Sequence, residues 1–224
     1  MTELVSLTVA RRRDPARLAR RATVLAFGRE CNYHAGHAAQ VARLAQTLHR
    51  QLVAADRINT KTLRPGPIGE WLEYAALLHD VGYIVDAKKH HRHAERLIRE
   101  ASLSGFLRHE IEIIALTARF HRKRWPGPDH KAFTGLGRAD YETVKTLAAI
   151  LRVADGLDRT HRHVVRNIVV GQTEPQLEIG IVVADVPDFE IQAATKKADI
   201  LGELIGARVD IRPLAFDGQL LRDR

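Results

Sequence analysis

His79 and Asp80 stand side by side at the end of the apolar run "EYAALLHD", and Asp86, His90, His91 and His93 follow in "VGYIVDAKKHHRHAERLI". Imidazole and carboxylate in one short passage are the materials of a divalent metal site. Neighbouring residues on a helix point about 100° apart, so His79 and Asp80 can reach one ion only near a helix end or at the centre of a bundle. Two other segments offer partners. His37 heads the apolar stripe of "HAGHAAQVARLAQTLHRQL", and Asp155 sits in "TLAAILRVADGLDR" among Leu147, Ile150, Leu151 and Ala154. A carboxylate in such apolar company is costly unless it is paired or bound to metal. Four ligands from three helices would satisfy it. Mixed imidazole and carboxylate ligation with room for water suits Mn, Fe, Zn, Co or Ni, and Mg less well. One or two such ions are expected.

Composition narrows the chemistry further. Cys31 is the only cysteine of the 224 residues, which excludes an intramolecular disulfide and a thiolate-rich zinc site. No serine sits in a nucleophile setting. A net charge of +8 gives a surface that attracts anions such as phosphates. With 45% hydrophobic and 28% charged residues the chain can build one core, or one core with a small appendage. No apolar run nears the roughly 18 residues that span a bilayer, and "MTELVSLTVARRRDPARLARR" reverses the charge order of a signal peptide. A cytoplasmic protein without membrane association is expected. The basic run lacks interleaved aromatics, so it reads as a helix face and nucleic-acid binding is not expected.

The elements that must position these residues are mostly helices. Asp14 suits an N-cap and Pro15 the first helical position of "DPARLARRATVLAFGRE", with Leu18, Ala22 and Leu25 on one stripe. Val41, Leu44, Leu48 and Leu52 mark a second helix, and Trp71, Tyr74, Ala75 and Leu78 a third, which Gly82 is expected to stop. Further helices are predicted at about 93–102, 108–121 and 140–158. After Arg166 the pattern changes. "GQTEP" reads as a turn, and Leu177, Ile179, Ile181 and Val183 alternate as on a strand. "DFEIQAATKKADILGELIGARVDIRP" reads as one amphipathic helix through Ile191, Ala194, Leu201 and Leu204, a stop at Gly206 and a short strand. The fold class is therefore mainly α, a helical bundle over residues 1–165 with a small C-terminal α/β subdomain over 166–224.

The order His37, then His79 and Asp80, then Asp155, each on its own helix, resembles the HD-domain superfamily of metal-dependent phosphohydrolases. "HAAQVARLA", "LEYAALLHDVGY", "KKHHRHAERLI", "IIALTARFHRKRWP" and "LAAILRVADGLDRTHRHVV" narrow the resemblance to the HD-type C-terminal region of the Ppx/GppA family, the exopolyphosphatases and guanosine pentaphosphate phosphohydrolases. It covers about residues 15–212. In that family the recognised exopolyphosphatase chemistry belongs to an actin-like domain, which no segment of this sequence matches. Any catalysis is then expected from the HD site itself.

The resemblance implies a first ion held by His37, preferred over His34, with His79, Asp80 and Asp155. His90 and His121 resemble the extra histidines of binuclear members, where Asp80 would bridge two ions, with His79 and Asp80 at the catalytic centre. Lys88, Lys89, Arg122, Lys123, Arg159 and His161 neighbour these ligands in sequence and are expected to grip further phosphates. His91, His93 and His163 are read as exposed or supporting. The expected function is metal-dependent hydrolysis of a phosphate ester or anhydride of a nucleotide or polyphosphate. The alternative is a noncatalytic module that binds polyphosphate or a guanosine alarmone, or regulates a catalytic partner. A phosphorylated small molecule or polyphosphate is the expected ligand, and a homodimer the expected assembly if the chain self-associates.

Overall fold

The computed structural model describes residues 14–171 and 176–214. Six helices come first: α1 (Pro15–Glu30), α2 (Ala35–Ala54), α3 (Ile68–Leu78), α4 (His90–Glu100), α5 (Arg108–Arg119) and α6 (Arg138–Gly156). Strand β1 (Val165–Val170), strand β2 (Leu177–Val183), helices α7 (Asp188–Lys197) and α8 (Asp199–Ile205), and strand β3 (Val209–Pro213) follow. The fold is mainly α with a small three-stranded sheet at its C-terminal end. Arg11 to Arg13 and most of the turn expected at "GQTEP" lie outside the described residues.

Local chemistry explains the elements. The Asp14 side chain accepts the Ala16 amide at 3.0 Å, and Pro15 opens α1. The predicted stripes of α2 and α3 are fully buried at Val41, Leu44, Leu48, Leu52, Trp71, Tyr74, Ala75 and Leu78. Helix α6 is buried on nearly all sides and forms the spine against which α2, α3, α5 and α7 pack. The basic face of α1 is engaged internally. Arg17 and Arg21 pair with Glu73, while Arg20 pairs with Glu110, which also accepts the Trp71 indole N–H.

Strand β1 pairs antiparallel with β2, matching Ile168 with Ile181 and Val170 with Ile179. Strand β3 lies parallel to β2, matching Ile179 with Ile211, so the chain must cross over between them. Helices α7 and α8 make that crossover. Leu177, Ile179 and Ile181 turn one buried face to the helices, as the alternation predicts.

Three details differ from the sequence reading. The helix expected from about residue 93 starts at His90. The single helix expected after Asp188 is two, broken at Ala198, where the Arg152 guanidinium takes the Lys197 carbonyl out of a continuous helical ladder and pairs with the Asp199 side chain. Gly82 does not stop α3, which ends at Leu78. A Cβ on Gly82 would stand 2.0 Å from the His90 carbonyl oxygen and 2.6 Å from the Ala94 amide, so this glycine lets the start of α4 press against the turn after Asp80. Gly82→Ala is expected to cost about 3 kcal/mol or more, because backbone on both sides must move. A lowered urea midpoint with loss of metal binding checks it.

Among the described residues no helix is long and apolar enough to cross a membrane.

Candidate metal centre

Every candidate ligand lies at a helix end. His37 is in the first turn of α2, His79 caps α3, Asp80 follows it, His90 opens α4, His121 lies just past α5, and Asp155 is in the last turn of α6. That placement lets the neighbours His79 and Asp80 aim at one space. His34 is spent otherwise: its Nδ1 accepts the His37 amide at 3.1 Å as the cap of α2.

The two oxygens of Asp80 face different histidine pairs. Its Oδ2 is 3.4 Å from His79 Nε2 and 3.8 Å from His37 Nε2, while its Oδ1 is 3.3 Å from His90 Nε2 and 3.7 Å from His121 Nε2. Asp155 Oδ1 closes the first group, 3.5 Å from His37 Nε2 and 3.8 Å from His79 Nε2. The ligand atoms of His37, His79 and Asp80, and those of Asp80, His90 and His121, lie within 4.8 Å of one another, and so do those of His79, His121 and Asp155.

The other ring nitrogens are all occupied. Nδ1 of His79, His90 and His121 donates to the carbonyls of Ala76, Ala87 and Ala118 at 2.8, 2.8 and 2.6 Å. A carbonyl can only accept, so each Nδ1 carries a proton and each neutral ring turns its Nε2 lone pair to the centre. His90 and His121 thereby bring two Nε2 atoms to 3.3 Å of each other, and the buried Nε2 atoms of His37 and His79 have no hydrogen-bond partner. Lone pairs facing lone pairs and carboxylates repel unless positive charge sits between them. This donor set fits divalent metal, with backbone carbonyls and a carboxylate orienting the rings from behind.

Titration behaviour reflects the same demand for positive charge. Burial pulls the His37 pKa down, but the carboxylates of Asp155 and Asp158 outweigh it and raise it to about 9. Burial, then the nearby His79, pushes His121 well below its usual value. Burial works against ionised Asp80, yet His79 beside it carries its pKa below the usual range, and Lys197 does the same for Asp155. With metal stripped, His37 contributes stability that is complete below its unfolded pKa of about 6.5 and is lost as pH rises through about 9. His121, held neutral, costs stability as pH falls below about 6.5. Urea midpoints of chelator-treated protein are expected to fall between pH 6.5 and 9, and to fall less in His37→Gln.

Asp158 is a partner that sequence reasoning missed. Fully buried, it holds His37 Nδ1 at 2.8 Å with Oδ2 and accepts the His163 amide at 3.0 Å with Oδ1. Its one signal was a second carboxylate three residues after Asp155. Asp158→Ala is expected to weaken metal binding by about 10- to 100-fold, the usual effect of losing such a support, measurable by competition with a chromogenic chelator. Lys197 was missed too. It arrives from α7 and ion-pairs with Asp155 Oδ2, leaving Oδ1 to the histidines.

A cavity of about 620 Å³ opens over the cluster. Arg122, Lys123, Arg159 and His161 line it, and Lys196 and Lys197 add to them from α7. Lys88 and Lys89 are exposed and are not among its lining residues. His161 stacks on the His37 ring with centroids 3.8 Å apart, and Tyr83 stacks on His90 at 4.0 Å. Lys123 and His161 hold left-handed backbone, φ 68° and 58°, a conformation that costs a residue with a Cβ about 1–2 kcal/mol. His91 is buried on α4 beside His90, its pKa depressed to about 4 by burial and then by Arg122, while His93 is partly exposed.

A family profile described as Ppx/GppA phosphatase, domain III, matches residues 19–181, a span that contains the whole cluster. A guanosine-5'-triphosphate,3'-diphosphate pyrophosphatase of Vibrio atlanticus (strain LGP32) is 32% identical over 124 residues, 55% of this chain and 22% of that protein. The chain thus matches only about a fifth of that relative's length.

Proposed function

The chain belongs to the Ppx/GppA phosphatase family, matching its domain III, and we propose that it is a divalent-metal-dependent phosphohydrolase of the HD type, acting on a nucleotide or polyphosphate. The observation that carries this reading is Asp80, whose two oxygens face two separate groups of buried imidazoles. In it, His37, His79, Asp80 and Asp155 would hold one ion, and Asp80, His90 and His121 a second. Bound there, the ions would polarise a phosphoryl oxygen and make water nucleophilic near neutral pH.

The chain's own residues do the rest. The carbonyls of Ala76, Ala87 and Ala118, together with Asp158, keep the imidazoles aimed, so little reorganisation accompanies reaction. Arg122, Lys123, Arg159, Lys196 and Lys197 neutralise phosphate charge entering the cavity. Tyr83 and His161 cover the outer ring faces of His90 and His37 and keep bulk water from them.

A second reading has its own support, since the match is to one domain and to 22% of the Vibrio relative. In that reading the cavity binds polyphosphate or a guanosine polyphosphate for a catalytic partner. A phosphate-release screen of Mn-loaded protein over nucleotides, guanosine polyphosphates and short polyphosphates separates the two. Turnover that Asp80→Asn abolishes supports the hydrolase, whereas tight binding without release supports the module. Under either reading, tripolyphosphate should bind more tightly than orthophosphate at low salt. The gap should narrow as salt rises, because partly exposed cations are screened over about 8 Å at physiological ionic strength. Calorimetry across salt concentrations, with Arg122→Ala/Lys123→Ala as the control that closes the gap, checks this.

A further inference from the structure

Helix α7 contributes one complete face to the cavity. Phe189, Gln192, Ala193, Lys196 and Lys197 all line it, spaced as residues on one side of a helix. The opposite face is anchored. Glu190, buried, accepts the amide and hydroxyl of Thr160 at 3.1 and 2.5 Å, in the loop that carries Arg159 and His161. Ala194 lies so close to α6 that a Cβ on Gly156 would fall 2.5 Å from its Cα. Arg152 binds the Lys197 carbonyl. The wall is therefore held in place before any ligand arrives, and a preorganised surface loses little entropy on binding.

Chemistry changes along that face. Lys197 stands on Asp155 at the cluster, Lys196 and Gln192 lie further out, and Phe189 in the first turn is 69% exposed. From Lys197 to Phe189 the helix rises about 12 Å, so the aromatic ring stands well outside the catalytic cluster. Phosphate needs the cations and gains nothing from a benzyl side chain. A planar heteroaromatic ring gains from it, because every base has a π-face that can stack on an aromatic side chain. Tyr83 is not equivalent, since its ring already stacks on His90. Helix α7 lies outside the matched residues 19–181.

We infer that the cavity face of α7 is a nucleoside-recognition wall, on which Phe189 stacks the base of a nucleoside polyphosphate and so favours it over inorganic polyphosphate. The inference rests on the cavity being a phosphate site, as argued above. The test is titration calorimetry of the full chain with the β,γ-imido analogues of GTP and ATP and with imidodiphosphate. Phe189→Ala should weaken both nucleotides by roughly fivefold to a hundredfold, the range for loss of one stacked base, and leave imidodiphosphate within about twofold. Phe189→Trp should keep nucleotide affinity, with its fluorescence quenched on binding. Equal effects of Phe189→Ala on nucleotide and imidodiphosphate, or none on either, would overturn the inference while leaving the phosphate site intact. No imidodiphosphate binding, or binding indifferent to Arg122→Ala/Lys123→Ala, would overturn the phosphate reading and the inference with it. A change of oligomeric state in Phe189→Ala, with nucleotide affinity unmoved, would make the ring a protein contact and also overturn it.

Discussion

Asp80→Asn is expected to lower bound metal from about two ions per chain to well under one, and any phosphate release by about a thousandfold or more. Asp80 faces all four imidazoles, Oδ2 toward His37 and His79 and Oδ1 toward His90 and His121. The amide keeps the shape and removes the charge, which four inward-facing lone pairs cannot replace. His121→Ala should behave differently and retain about one ion, because His37, His79, Asp80 and Asp155 stay complete. Elemental analysis of both variants after loading with Mn, beside far-ultraviolet circular dichroism to confirm folding, checks the pair. Equal retention of metal in Asp80→Asn and wild type would remove the bridging role.

Arg152→Ala is expected to cost about 3 kcal/mol of stability, with phosphate affinity falling alongside. Arg152 is only 4% exposed, and its guanidinium donates to the Lys123 carbonyl at 2.6 Å, the Lys197 carbonyl at 3.3 Å and Asp199 at 2.8 Å. Truncation leaves acceptors without donors, at about 1–3 kcal/mol for each buried group. It also frees the left-handed Lys123 and the end of α7, two parts of the cavity wall. Arg152→Lys should recover little, because one ammonium cannot span three acceptors in a planar fork. Urea unfolding and tripolyphosphate titration of the two variants test it, and a loss below about 1 kcal/mol for Arg152→Ala would show that water replaces the fork.

What could be read from the sequence was whatever is periodic or local. The stripes of α2 and α3 follow 3.6-residue spacing, and the buried face of β2 follows alternation, so their cores were legible. His37, His79, Asp80 and Asp155 stood out because polar groups at the ends of apolar stripes need a reason to be there. Adjacency in sequence did not reveal that Lys88 and Lys89 precede His90 in an exposed turn and stay off the cavity lining. Tertiary partners left little trace. Lys197 reaches Asp155 across 42 residues and Asp158 reaches His37 across 121. The break at Ala198 depends on Arg152 on another helix, so "KKADILGEL" alone reads as unbroken. Helix α7 carries an ordinary amphipathic pattern, and only the crossover between parallel strands brings its second face over the cluster.

The most direct test of a two-ion centre bridged by Asp80 is anomalous diffraction from crystals grown with Mn. The account predicts one peak among His37, His79, Asp80 and Asp155 and a second among Asp80, His90 and His121, with Asp80 bonded to both. A fully loaded crystal with no peak at either position, or with metal only on surface histidines such as His93, would contradict it.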